Sequence, residues 1–474
     1  MTPRPYGALA LKTLVALGLG AALVAGPRTN LALVLLVVIG VLAFDVHNLF
    51  SLKNFLLAYT VMIFAVGGAY LHLTGQPIYR DMVLYTVAFL VAYAIASLPA
   101  ARAGDRLARS RPPAGKGPVN LFALEHALIA LVGLNLAYLA FQFLRFGVVG
   151  YYQGAGLLNE ALTYGKASTA GGAEQIVTFG LSYTAIALVI LYVQACFETS
   201  TPIRYRYPAA LFVALPVLSL SRFQAVLGAV TLLAIFACDR RMATRRPAAP
   251  RADSPAPPPP RVSRAALIVL ALVGAVAMAA FVASIRGGFT NKSGTTGHAA
   301  DGLAIFTSEL SPVQAYSDIT SNIAILGHPD GRTIVLPLVL QVVPRSWYPN
   351  KPLNSGAYYM SKVRPAEWAA GYALPPTFWG DLYLSFGFGG ALVGSAVLGL
   401  VAARLDLAYR HAVLRRLPWF LLLFANFYAL LRNPLATSLA GIALTLGVWA
   451  VGNRVFRARA RARAQAQVPL LATP

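Results

Sequence analysis

Charge is what this chain has little of. Only 12% of its 474 residues are Asp, Glu, Lys or Arg, about half the share of an ordinary soluble domain, while 58% are hydrophobic. At a mean hydropathy of +0.64 there is too little polar surface to wrap a water-soluble globule, and that class is excluded. Acids are the scarcer sign, 16 Asp and Glu against 39 Lys and Arg. The middle of the long apolar runs carries no ionisable Asp, Glu, Lys or Arg. A proton- or sodium-coupled transporter keeps a carboxylate near the bilayer midplane, so the pattern argues against one. Two cysteines, Cys196 and Cys238, both fall at expected cytoplasmic helix ends, where thiols stay reduced, and no disulfide can staple the hydrophilic stretch after residue 284. There is no Gly-rich Walker loop, no Cys/His zinc spacing and no His-Glu-x-x-His, which removes the common nucleotide and zinc chemistries.

What is present is apolar helix. Hydrocarbon about 30 Å thick takes ~20 residues of helix, because every amide inside it must be satisfied within the chain. Such runs lie near 8–26, 30–47, 55–74, 82–99, 121–143, 175–196, 207–221, 223–238, 265–284, 383–402, 418–431 and 436–453. The expected fold is all-α: a polytopic transmembrane bundle of about twelve spans with a large, partly helical loop on the outer side. The first run is long enough to span and shows no cleavage signal. The two short pairs either side of Arg222 and Arg432 read as separate spans, as one long helix each, or as re-entrant hairpins.

Basic residues test the count, since Lys- and Arg-rich loops stay cytoplasmic. With the N-terminus inside, alternation puts 26 of the 39 on the inner face, seven in the long outer loop and six in all the short outer turns. The resulting division is 1–284 for spans one to nine with a cytoplasmic linker at 239–264, 285–382 for a periplasmic loop, 383–453 for spans ten to twelve, and a basic cytoplasmic tail at 454–474. The Pro-rich stretch 247–261 reads as a disordered linker. The Arg-Ala repeat at 457–463 reads as an anchor on anionic lipid, so the net charge of +23 implies no nucleic-acid partner.

Arg222 and Arg432 break the inside preference at turns too tight to be loops, which suggests an anionic ligand beside them; snorkelling to headgroups is the simpler account. The outer loop of about 97 residues opens with Ile-Arg-Gly-Gly-Phe at 285–289. Helical spacing follows around 306–326, with Glu309, Tyr316 and Asp318, then Gly327-His328-Pro329-Asp330-Gly331, which reads as a turn. Next come Pro-Arg-Ser-Trp-Tyr-Pro-Asn-Lys-Pro at 344–352 and Thr-Phe-Trp-Gly-Asp-Leu-Tyr-Leu-Ser-Phe-Gly-Phe-Gly-Gly at 377–390. Guanidinium forks and ammonium groups hold phosphate oxygens: Arg222, Arg286, Arg345 and Lys351, with Arg432 in reserve. Trp347, Tyr348, Asn354, Tyr358, Tyr359 and Trp379 are the candidates for a sugar, aromatic faces for its C–H surface and polar tips for its hydroxyls. A phosphate-linked sugar at the outer leaflet accommodates the whole set.

In this order the features resemble the Wzy-type polymerases of bacterial O-antigen, capsule and exopolysaccharide repeat units. The likeness rests on Ser221-Arg222, on the block 344–352 and on the entry at 377–390 with Asp381, spread over the stretch 221–390, about a third of the chain. It implies a GT-C-like glycosyltransferase of the inner membrane, both termini cytoplasmic and the active site periplasmic. Its ligand would be an undecaprenyl-pyrophosphate-linked oligosaccharide, used with no sugar nucleotide, cofactor or metal; the loop has no Asp-x-Asp. A chain-length regulator and the pathway's flippase are the implied partners, besides membrane lipid. Asp381 is the first candidate for a general base, then Glu309 and Asp318; for Asp381 the alternative is a helix N-terminal acid favoured by the macrodipole. Two other functions fit the composition: an O-antigen ligase passing finished glycan to lipid A core, and a lipid-linked oligosaccharide flippase or exporter.

Overall fold

The computed structural model describes residues 31–45, 48–70, 76–109, 119–164, 172–219, 222–243, 311–340, 343, 348, 350–369, 374–411 and 413–467. The expected spans 8–26 and 265–284 lie outside them, as do the Pro-rich stretch, Arg286 and Glu309. All regular structure among the described residues is helical. In chain order these are α1 (Leu31–Ala43), α2 (Leu52–Tyr59, running on through a π-helical stretch Thr60–Val66 into Gly67–Tyr70), α3 (Gln76–Arg109), α4 (Leu121–Tyr164), α5 (Gly172–Glu198), α6 (Arg206–Ser219) and α7 (Arg222–Ala243). Then follow α8 (Ser311–Ser321), α9 (Ile323–Leu326), α10 (Arg332–Leu340), α11 (Ser355–Val363), α12 (Pro365–Ala369), α13 (Thr377–Arg410), α14 (Leu417–Arg432) and α15 (Leu435–Gln467).

Six of the described helices have the length and hydropathy to cross a bilayer: Leu52–Ala69, Ile78–Leu98, Leu121–Gly147, Gly180–Glu198, Thr377–Arg410 and Leu435–Ala458. Two shorter apolar helices, Ala32–Ala43 and Leu417–Arg432, accompany them. At the second pair the helix breaks between Arg432 and Leu435, and at the first the helices ending at Ser219 and starting at Arg222 pack against each other, so neither pair is one long helix. The helix at 383–402 is longer than hydropathy alone suggested, because its first turns hold Asp381 and its last hold Asp406.

In lipid the hydrophobic effect does not press helix against helix; close packing and hydrogen bonds do. The most extensive pairing, α3 with α13, uses both. Gly399 has the Phe89 carbonyl directly against it, where a side chain would not fit, and Tyr93 donates its hydroxyl to Asp406 Oδ2 at 3.0 Å. Asp406 is buried and also accepts the first two amides of α2, Leu52 N at 2.8 Å and Lys53 N at 3.1 Å. Those amides have no partner within their own helix. Asp381 repeats the device near the other end of α13, its Oδ2 accepting the Leu435 amide that starts α15.

Two helices are kinked, each at a glycine with extended ψ: Gly147 in α4 (φ 69°, ψ 162°) and Gly387 in α13 (φ 68°, ψ −169°). That region of backbone space is essentially closed to residues with a Cβ. Only glycine turns the helix this way.

The ends of the bundle differ. At one, Arg410 meets Asp45 at 3.4 Å, Arg204 meets Glu125 at 3.2 Å, and Arg457 Nη2 reaches both carboxylate oxygens of Glu198 at 2.7 and 2.6 Å. Arg241 donates to Asn48 at 2.6 Å and lies 4.3 Å over the Tyr409 ring, which stacks on Phe420 at 4.6 Å. These residues come from the segments that alternation put on the inner face.

Candidate functional site

The opposite end gathers the pieces singled out in the sequence. α7 and α14 pack together, and Arg241, Tyr409 and Phe420 bring the C-terminus of α7 to the N-terminus of α14. The two helices are therefore antiparallel, and Arg222, the first residue of α7, starts at the end where Arg432 closes α14. Asp381 is wholly buried there, its Oδ2 on the Leu435 amide just past the Arg432 turn. Ser355, first residue of α11, is beside the same carboxyl. Neither Ser355 Oγ nor Asp381 Oδ1 has a hydrogen-bond partner among the described residues. Asn354 caps α11 by accepting the Ala357 amide at 3.0 Å, so its side-chain oxygen is engaged by its own helix.

Local backbone explains why Asp381 sits so deep. Thr377 has φ 71°, strained for a β-branched residue, and its hydroxyl accepts the Gly380 amide at 3.0 Å. This tight opening turn directs Trp379 and Asp381 inward. The Trp379 indole N–H donates to Ser395 Oγ at 3.0 Å, and its ring meets Phe64 at 5.5 Å and Phe378 at 5.9 Å. Trp379 is 1% exposed and presents no face to a ligand from outside.

The other candidates are placed as follows. Tyr359 is buried, with its hydroxyl on the Leu374 carbonyl at 3.2 Å. Tyr358 is half-buried; it donates to the Leu326 carbonyl at 2.7 Å and receives Lys362 Nζ at 2.9 Å. Asp318 is held by Arg364 through two hydrogen bonds, 2.7 and 3.2 Å, and Arg364 also reaches Glu367 at 2.6 Å. The Asp318 bond, with Glu367, raises the Arg364 guanidinium above its already high range. Lys351 donates to the Val343 carbonyl at 3.1 Å, Tyr348 is exposed, and Arg432 donates to the Tyr428 hydroxyl at 2.8 Å. Arg345 and Trp347 lie outside the described residues. The structure thus brings Arg222, Arg432, Asp381 and residues 354–355 to one end of the bundle, while Asp318 belongs to a separate ion-pair cluster.

Residues that sequence reasoning passed over lie alongside. Asp81, in the first turns of α3, accepts the Tyr316 hydroxyl at 3.4 Å, and Tyr316 and Tyr85 share a hydrogen bond at 3.3 Å. Burial first, then Tyr85 and Asp81, push the Tyr316 hydroxyl well above the ordinary phenol range, so it stays protonated and donates. Tyr383 stands between Tyr316, 6.1 Å away, and His328, 6.3 Å away. The 327–331 turn is as expected, with Gly327, Asp330 and Gly331 at positive φ. The only hint in the sequence was Asp81 following Arg80 at the edge of an apolar run.

Among the described residues no three of His, Cys, Asp and Glu gather as a metal ion needs. Compared with family models, with curated proteins and with solved structures, the chain matches none.

Proposed function

We propose that the chain is a glycosyltransferase of the bacterial inner membrane that polymerises undecaprenyl-pyrophosphate-linked repeat units at the periplasmic face. On this reading it spans the bilayer twelve times, both termini are cytoplasmic, and residues 285–382 are periplasmic. One observation carries it: the two arginines that defy the inside preference, at 222 and 432, lie at the same end of the bundle as Asp381 and the 351–355 segment, opposite the end where Arg204, Arg410 and Arg457 pair with acids.

In the reaction an acceptor hydroxyl attacks the anomeric carbon of the donor glycan. A new glycosidic C–O bond forms, the bond to pyrophosphate breaks, and undecaprenyl pyrophosphate departs with its electron pair. Charge grows on the leaving oxygen, so preorganised cations lower the barrier more than they tighten ground-state binding. Arg222, Arg286, Arg345 and Lys351 form this clamp, with Arg432 behind them. The hydroxyl's proton goes to a base. Asp381, whose Oδ1 has no hydrogen-bond partner among the described residues, is the first candidate, followed by Glu309 and Asp318.

The test supplies purified protein with lipid-linked repeat unit and resolves the products on a gel. A ladder is expected from the parent, and single repeats from Arg222→Ala and Arg345→Ala that insert normally. Full ladders from both variants overturn the clamp; no ladder from the parent overturns the polymerase. Deleting the gene separates polymerase from ligase, since loss of polymerisation leaves single repeats whereas loss of ligation leaves long lipid-linked polymer.

A further inference from the structure

We propose that Asp81, Tyr383 and His328 form a binding subsite for a hydroxyl-rich sugar ring, at the junction of α3, α8 and the kink in α13. The proposal rests on the reading above that this end of the bundle handles a lipid-linked glycan, and it names where one sugar sits.

The histidine comes first. His328 Nδ1 lies 3.0 Å from the Leu384 carbonyl. A carbonyl can only accept, so Nδ1 carries a proton and donates, and Nε2 is the ring nitrogen left for a ligand among the described residues. The glycine at 387 makes this possible. Its non-helical backbone interrupts the ladder just after Leu384, and a straight helix would use that carbonyl internally. His328 is exposed, and its ring stands against the backbone of Gly387, about van der Waals distance from where a Cβ would lie. The side chain is held by one partner through Nδ1, and its Nε2 lies beside the Gly387 kink.

The carboxylate is held in the same manner. Asp81 is half-buried, and Tyr316 is the one hydrogen-bonding side chain on it among the described residues, through Oδ2. Among the described residues nothing hydrogen-bonds to Oδ1. Tyr316 is itself fixed by Tyr85 and by ring contacts to Phe64 and Tyr383 at 6.0 and 6.1 Å, and Tyr85 is backed by Phe388 at 5.4 Å. Half-exposed Tyr383 supplies a phenol ring and hydroxyl between the acid and the imidazole.

The donor set chooses the ligand. A carboxylate oxygen accepts and an imidazole nitrogen can accept from or donate to a hydroxyl, so the pair wants a ligand with several O–H groups. An aromatic face wants the weakly positive C–H surface of a ring. A sugar ring offers both, whereas an anionic phosphate, although Arg80 lies near Asp81, brings neither the O–H groups nor the C–H face. The cationic clamp of the polymerase and this acceptor-rich subsite are thus chemically distinct, one for the leaving group and one for a sugar.

The experiment uses the full chain in detergent micelles and saturation-transfer difference NMR with free hexoses, N-acetylhexosamines and uronic acids as probes, choline serving as a cationic control. Transfer to at least one sugar is expected, reduced fivefold or more by Asp81→Asn and by His328→Gln. Tyr383→Phe, which keeps the ring, should lose less than either. Unchanged gel-filtration and thermal profiles show that each variant is folded; if Asp81→Asn is not, the His328→Gln and Tyr383→Phe pair decides alone. Transfer to no sugar, transfer unaffected by these substitutions, or transfer to choline instead overturns the proposal. Sugar binding without a product ladder keeps the subsite and sinks the polymerase; a ladder that ignores both substitutions, without their affecting binding, does the reverse.

Discussion

Gly387→Ala separates backbone strain from steric fit. A Cβ at this position would lie 3.6 Å from His328 Cε1, an ordinary contact, so crowding adds almost nothing. The backbone, at φ 68° and ψ −169°, is the whole cost: about 1–3 kcal/mol for a non-glycine residue held there, or roughly a 5- to 150-fold loss in the folding constant at tenfold per 1.4 kcal/mol. Gly389, two residues on in the same helix, is the control. It has ordinary helical dihedrals and nothing within 4 Å of a Cβ, so alanine there gains up to about 1 kcal/mol of helix propensity. Reversible SDS unfolding in mixed micelles, read by tryptophan fluorescence, should place Gly387→Ala below the parent and Gly389→Ala at or above it, about 1–4 kcal/mol apart. Equal stability of the two variants refutes the claim that the kink is a glycine-only conformation.

Three further outcomes follow from the packing. Gly399→Ala drives a methyl into the Phe89 carbonyl; backbone cannot swing aside, so a loss of about 1–3 kcal/mol is expected in the same unfolding assay, larger for Gly399→Leu. Glu198→Gln leaves the Arg457 guanidinium, 8% exposed, without its carboxylate; a buried pair broken on one side costs about 3–5 kcal/mol, at the low end here because Glu198 is 29% exposed. For Arg364 the folded state raises the pKa, so its contribution is fully present below the unfolded guanidinium range and lost only as pH climbs through the still higher folded value. Stability of the parent relative to Arg364→Ala, measured from pH 6 to 9, should therefore stay flat; a difference that falls with rising pH in that window contradicts the Asp318 and Glu367 pairing.

Hydropathy located the helices because a bilayer leaves few alternatives: the runs at 121–143, 175–196 and 436–453 sit inside α4, α5 and α15. The turns at Arg222 and Arg432 were equally legible, since an arginine between two apolar runs has to reach an interface. Depth was not legible. Composition reads Trp379 and Tyr359 as exposed aromatics beside a loop, yet whether a ring faces ligand or core depends on the turn before it, and the positive φ of Thr377 has no sequence signature. Asp406 lies beyond the expected run at 383–402, because hydropathy penalises an acid whose three hydrogen-bond donors come from elsewhere in the chain. His328 looked like part of a bland turn because its partner, the Leu384 carbonyl, is 56 residues away and is released by a kink.

The two aspartates of α13 make that helix a tie between the two ends of the bundle. Asp406 grips the starting turn of α2 and Asp381 the starting turn of α15, so neither helix can slide along the membrane normal without stripping a buried carboxylate of its donors. Piston motion is blocked at both clamps. The one joint in the rod is Gly387, which lies between them, beside His328 and above the Arg432 turn's anchor. Any rocking of the outer segment is confined to that pivot, and it carries the start of α15 along with Asp381 while α2 stays fixed.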